Sequence, residues 1–141
     1  MKYHSKKIEC MGHRFDSKAE ADYFRYLLAE KEAGNVLDIQ LQPKIVLQES
    51  FKLNGKTIRQ ISYTPDFLVT WKAGGQVYVD VKGCSTQQGL MRYKLYKYKY
   101  EYHDGVPLVW VAQSKKYSKT GWIEYFELEK IRKNNRKQKQ G

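Results

Sequence analysis

The 141-residue chain is poor in the residues that build metal fingers and disulfide scaffolds: it has two cysteines, Cys10 and Cys84, and three scattered histidines, His4, His13 and His103. The cysteines have no C-x-x-C spacing, which excludes a zinc-finger pattern and a disulfide framework and fits a reducing, cytoplasmic setting. Long apolar runs are missing as well. The longest, Val106 to Ala112, is far too short to span a bilayer, and charge from Lys2 onward leaves no apolar core for a secretory signal. Acidic residues are also in short supply, 15 against 26 lysines and arginines.

That imbalance gives a net charge of +11 and a pI near 9.6. Such an excess concerns partners rather than fold, and polyanions are the obvious ones. A basic protein kept soluble by its charge, or one that binds an anionic membrane surface, is the alternative. The 12 tyrosines and 3 tryptophans mixed with the cations favour nucleic acid, because aromatic faces stack on bases; aromatics fill cores too. An apolar fraction of 41% supports one core, and no repeat, second domain or linker is visible.

In chain order, Ile8-Glu9-Cys10 and His13-Arg14-Phe15 flank Met11-Gly12 as a short hairpin. Asp16-Ser17 offers an N-cap, and Ser17 with Glu20 has capping-box spacing. The helix that follows runs to Glu32 or Ala33 and closes at Gly34-Asn35. Glu20 shares a stripe with Ala21, Phe24, Leu27 and Leu28, so it stands at the edge of the buried face. It is either a capping-box residue or a third acid aimed at the site described next, and spacing does not separate the two.

Val36 to Gln42 and Lys44 to Leu47 read as strands interrupted by Pro43. Phe51–Leu53, Asn54-Gly55 and Ile58–Ser62 form the strongest hairpin signal. Residues 90–102 fit either an alternating strand or a helix with Met91, Leu95, Tyr98 and Tyr102 in one stripe. The need for a crossover to the buried strand Val106–Ala112 favours the helix, which presents Arg92, Lys94, Lys97 and Lys99 as a basic, DNA-tracking surface. Trp122 to Ile131 ends in a short helix. The tail from Arg132, five of whose ten residues are Lys or Arg, reads as disordered, either solvated or a DNA-contacting arm through Arg132, Lys133, Arg136 and Lys137. The domain is thus residues 1–131 and the tail 132–141.

The chain is organised around Tyr63 to Gly83. Two β-rich runs flank Gly74-Gly75, so a hairpin brings Asp66, just after Pro65, level with the far end of the second run, Val77 to Lys82. Asp80 and Lys82 share a strand face. Two carboxylates and a lysine converge at one sheet end, which suits a metal and a phosphate. Asp66 and Asp80 can ligate Mg²⁺, the Val81 carbonyl can complete the ligand set, and Lys82 can hold the attacking water or offset developing negative charge. The plain alternative is an Asp80–Lys82 ion pair on a solvated face, with Asp66 as a turn residue.

Pro65-Asp66 followed by Asp80-Val81-Lys82 resembles the motif of the PD-(D/E)XK nuclease superfamily, with Glu20 where many members carry a further metal-site glutamate. The stretches Phe15 to Ala21, Leu41 to Lys44, Tyr63 to Phe67 and Asp80 to Gly83 are similar to small bacteriophage proteins of that superfamily and to the endonuclease subunit of heteromeric transposases. The likeness spans roughly residues 12–100 and its words are short. It implies an α/β, restriction-endonuclease-like core, a central mixed sheet flanked by helices, and Mg²⁺- or Mn²⁺-dependent DNA cleavage. Among such phage enzymes are homodimeric Holliday-junction resolvases, which cut branched DNA symmetrically. Two other functions are carried beside that one. One is a nicking or transposition endonuclease that needs a partner subunit, and the other is a DNA-binding module whose acids are structural.

Overall fold

The computed structural model describes residues 8–10, 13–15 and 17–140, with side chains from Ser17 to Lys139. Strands β1 (Ile8–Cys10) and β2 (His13–Phe15) pair antiparallel, as the sequence suggests; Met11-Gly12 and Asp16 lie outside the described residues. Helix α1 (Lys18–Glu32) starts at Ser17, whose hydroxyl accepts from the Glu20 N–H at 3.1 Å. Strands β3 (Val36–Leu41), β4 (Ile45–Gln48), β5 (Phe51–Leu53), β6 (Lys56–Ile58), β7 (Ile61–Tyr63), β8 (Phe67–Trp71) and β9 (Gly75–Val81) follow. Then come α2 (Gln87–Lys99), a 3₁₀ turn (Glu101–His103), β10 (Leu108–Gln113), β11 (Trp122–Glu124) and α3 (Tyr125–Gln140).

The central sheet has the order β11-β10-β9-β8-β3 and is mixed: β9 and β10 run parallel, while the other neighbours are antiparallel. A parallel neighbour requires a crossover, and α2 supplies it. The β8–β9 hairpin pairs Trp71 with Gly75. Gly74 and Gly75 take φ of +102° and +77°, a region costly to side-chain-bearing residues, so the glycine pair is required where it stands.

Strand alternation divides the core between the two faces of the sheet. On one face, Phe67, Val69, Val79 and Val81 pack with Ala21, Phe24 and Leu27 of α1. On the other, Leu108, Trp110 and Ala112 pack with Tyr96 of α2 and with Tyr125 and Leu128 of α3. The molecule is therefore a mixed α/β domain with a central sheet flanked by helices.

Three expectations are corrected. Ile58–Ser62 is not one strand: β6 pairs with β5, whereas β7 leaves that hairpin and pairs with β4, with a register shift between Val46 and Gln48. The helix over residues 87–99 forms, but Met91, Leu95, Tyr98 and Tyr102 are 41–76% exposed. Its inner face is Leu90, Tyr93 and Tyr96, because aromatic rings fill the space over Trp110 and the Tyr96 hydroxyl can donate to the Val106 carbonyl at 2.6 Å. The residues from Arg132 are not irregular either, since α3 continues through them to Gln140. Buried Tyr125 and Leu128 anchor its start, and Asn135 donates to the Tyr117 hydroxyl at 2.8 Å, which holds the basic turns in the helix already nucleated.

Candidate functional site

The open end of the β8–β9 pair brings the sequence motif together. Because Phe67 pairs with Val79, Asp66 falls opposite Asp80. Pro65 has no N–H to give a ladder, so β8 begins only at Phe67, and the Asp66 backbone is left to make other bonds. Its carbonyl accepts from the Gln42 N–H at 2.9 Å. Its N–H donates to Asp80 Oδ1 at 3.0 Å, and its Oδ2 accepts from the Val81 N–H at 2.8 Å. Gln42 itself has φ of +48°, so the chain turns sharply beside the site. Its backbone N–H ties that turn to Asp66.

Asp80 is 4% exposed and lies on the face covered by α2 and α3, paired across the parallel ladder with Trp110. Its Oδ2 accepts from the Tyr63 hydroxyl, and that hydroxyl in turn accepts from Trp110 Nε1 at 3.0 Å. Lys82 Nζ stands 3.7 Å from Asp80 Oδ2 and 4.9 Å from the centre of the Trp110 ring. The ring fixes the ammonium from one side and the carboxylate from the other, and Lys82 keeps part of its side chain in solvent. An isolated buried carboxylate would be costly; this one has a phenol, an amide and an ammonium around it.

Glu20 approaches from α1, on the opposite face of the sheet, and its Oε2 is shielded from solvent. Asp66 feels both other acids. Burial, then the charge of Asp80, then that of Glu20 raise its carboxyl well above the usual carboxylate range, against the lowering effect of the Val81 N–H. The ordering matters, because desolvation and two like charges both oppose ionisation. Tyr63 is raised also, first by burial and then by the Asp80 charge, so it stays a protonated donor.

The three acids therefore oppose one another's ionisation at one sheet end, and Asp66 is the one that holds its proton. Among the described residues no three His, Cys, Asp or Glu side chains are grouped closely enough to form a ready metal cage. Magnesium does not need one, since it binds through one or two carboxylates and otherwise keeps water or phosphate oxygens. An all-oxygen donor set whose like charges oppose one another fits a hard divalent cation. Asp66 and Asp80 are the residues suited to hold it, with the Val81 carbonyl next to Asp80 in the chain and the Glu20 charge felt by Asp66.

The basic residues separate into two groups. On α2, Arg92 Nε donates to the Ser62 carbonyl at 3.3 Å, Lys97 Nζ to Glu101 Oε1 at 2.9 Å and the Leu108 carbonyl at 2.7 Å, and Lys99 Nζ to the Leu47 carbonyl at 2.6 Å. Lys94 and Lys99 are exposed and Arg92 and Lys97 half-buried, and among the described residues only Lys97 of the four meets an acid, Glu101. The long side chains reach neighbouring carbonyls because α2 lies directly across β4 and the start of β10. On α3, by contrast, Arg132, Lys133, Arg136 and Lys137 are exposed. Helical spacing gathers them on one side, with Arg132 3.7 Å from Glu129 Oε1.

Sequence reasoning assigned no role to Tyr63 or Trp110. The available signal was weak: Tyr63 directly precedes Thr64-Pro65-Asp66, and Trp110 sits in the apolar strand beside β9. Nothing in spacing alone says that the two share a hydrogen bond.

Fold and site together define a basic, mixed α/β protein with a buried carboxylate pair and a lysine at the open end of its sheet. Residues 1–119 match the family described as "Protein of unknown function (DUF1064)", and the chain belongs to that family. The match takes in α1, the acidic pair and β10, and stops short of β11 and α3. The curated proteins contain no match to this chain. No helix among the described residues is long and apolar enough to cross a membrane.

Proposed function

We propose that the protein is a metal-dependent endodeoxyribonuclease of the PD-(D/E)XK type, acting on branched DNA as a homodimeric junction resolvase. The observation that carries the reading is the meeting of Asp66, Asp80 and Lys82 at one sheet end, with Glu20 close enough to raise the Asp66 carboxyl. A bound Mg²⁺ or Mn²⁺ would supply charge neutralisation at the scissile phosphate and cheaper hydroxide at neutral pH. The chain's own residues do the rest. Asp66 and Asp80 set the position of the carboxyl oxygens, and their backbone hydrogen bonds hold them there. Lys82 Nζ, steadied over Trp110, offers a fixed positive charge to a phosphate oxygen or to the attacking water. Tyr63 holds Asp80 in one orientation. The cations on α3 supply sequence-independent attraction to the DNA backbone. A cytoplasmic site of action accords with the free thiol of Cys84.

One observation favours a second reading. Both oxygens of Asp80 accept hydrogen bonds inside the protein, as they would in a DNA-binding module whose acids are purely structural. A third, a nicking or transposition subunit, predicts cleavage only with a partner present.

The deciding experiment is cleavage of a labelled four-way junction and its linear duplex, each with Mg²⁺ and with EDTA, beside the Asp80→Asn variant. Paired cuts in the junction alone, lost with EDTA and in the variant, support the resolvase. Equal cutting of both substrates keeps the nuclease and removes the junction preference. Binding without cutting leaves the module or the partner-dependent subunit.

A further inference from the structure

The hairpin of β5 and β6 has no place in the core. Every residue from Gln48 to Gln60 is exposed. Asn54 and Gly55 take φ of +52° and +76°, the turn that matches strand twist, so the ribbon is well formed although no described residue covers it. Its register puts Phe51 opposite Ile58 and Leu53 opposite Lys56. Phe51, Leu53 and Ile58 thus share one face, 37–56% exposed, and Lys52 and Thr57 occupy the other. Lys52, Lys56 and Arg59 are its cations, against the single acid Glu49 at its base.

The ribbon is continuous with the candidate site. β6 leads through Arg59-Gln60 into β7, and β7 ends at Tyr63, the residue that holds Asp80. At ~3.3 Å per extended residue, Ile58 stands up to ~17 Å from Tyr63 along this path. A DNA strand carries a phosphate about every 3.4 Å, so the arm reaches about five phosphates from the acidic pair.

We propose that the β5–β6 hairpin is a nucleic-acid-gripping arm that lies along the DNA flanking the site, its cations on phosphates and its Phe51–Leu53–Ile58 face against base or sugar edges. Charge complementarity selects the occupant: a cationic ribbon suits a polyanion, and apolar side chains on such ribbons can wedge against opened base steps. The inference rests on the DNA-directed reading above and names the element that makes the grip.

The test is binding of a fluorescently labelled four-way junction by anisotropy, in EDTA so that no cleavage intervenes, between 50 and 200 mM salt. The unaltered protein, Lys52→Ala/Lys56→Ala/Arg59→Ala and Phe51→Ser/Leu53→Ser are compared, with thermal melts to confirm that each variant folds; none of the substituted side chains is in the core. The triple variant is expected to bind at least about tenfold more weakly, with a log–log salt slope shallower by about two to three. Unchanged affinity and slope in that variant overturns the arm while the DNA reading stands. A protein that binds no DNA before any substitution sinks both. If Phe51→Ser/Leu53→Ser turns a sedimenting dimer into a monomer and the triple variant keeps its slope, the face belongs to a second copy of the chain and the proposal fails.

Discussion

Asp66 and Asp80 clasp one another through the backbone: the Asp66 N–H donates to Asp80 Oδ1 at 3.0 Å, and Asp66 Oδ2 takes the N–H of Val81 at 2.8 Å. Each carboxylate is thus oriented by the strand that carries the other. Displacing either strand end by a fraction of a hydrogen bond moves both acids, which makes the pair a rigid unit rather than two surface charges.

That rigidity leads to the first prediction. Asp80→Asn and Lys82→Ala should each lower Mg²⁺-dependent cleavage by at least ~100-fold, the scale on which removing one preorganised electrostatic group acts. Junction affinity in EDTA should change little. Single-turnover cleavage beside anisotropy separates the two effects, and a variant that still cuts at the unaltered rate would leave the acids with a structural role.

Tyr63→Phe removes the hydroxyl shared by Asp80 and Trp110 while keeping the ring. A buried acceptor and a buried indole N–H lose a partner together, so urea denaturation should show a loss of roughly 1–3 kcal/mol. Cleavage should fall as well, because Asp80 is then free to turn. A fully stable variant with unaltered activity would mean that the hydroxyl does not orient the acid.

The raised Asp66 carboxyl has a definite sign in stability. The folded protein holds this proton more tightly than the unfolded chain, so the group's contribution is fully present below the ordinary aspartate range and is lost as pH climbs toward the raised value. Asp66→Asn removes that loss. Compared by thermal melts at a series of pH values, the variant should gain on the unaltered protein as pH rises from 4 toward neutrality. Mg²⁺ should raise the melting temperature of the unaltered protein and not of the variant, since a cation bound only by the folded state stabilises it. Parallel pH profiles, or equal Mg²⁺ shifts, would mean that the three acids do not oppose one another's ionisation.

Ser17 and Glu20 can be separated at the start of α1. Ser17→Ala removes the hydroxyl that accepts from the Glu20 N–H and should cost about 0.5–2 kcal/mol of stability, with cleavage retained. Glu20→Gln keeps the size and most of the local hydrogen bonding. If Glu20 serves the acidic pair, this variant holds its stability and loses cleavage; simple destabilisation with normal turnover would return it to the cap.

Much of the molecule was legible from local signals. Ser17 as a cap, Asn54-Gly55 as a tight turn, the β8–β9 hairpin and a crossover helix before the apolar strand all depend on a few adjacent residues, and spacing encodes these. The juxtaposition of Asp66, Asp80 and Lys82 was legible for the same reason: one hairpin and strand alternation are enough to place them. The inner face of α2 was not. Met91, Leu95, Tyr98 and Tyr102 form as good an apolar stripe as the one that is buried, and only the shape of the space over Trp110, with a carbonyl for the Tyr96 hydroxyl, selects Leu90, Tyr93 and Tyr96 instead. The same holds for the cations of α2, whose stems reach carbonyls of Ser62, Leu47 and Leu108 that are distant in sequence, and for the basic end of α3, which is held by the helix nucleated at Tyr125 and Leu128. Tyr63 and Trp110 became site residues only when β7, paired with β4 outside the central sheet, was set against β10. Sequence by itself determined the elements and the motif, because those are short-range; the tertiary structure decided which faces are buried and which charges remain free, because both depend on what the fold sets opposite each side chain.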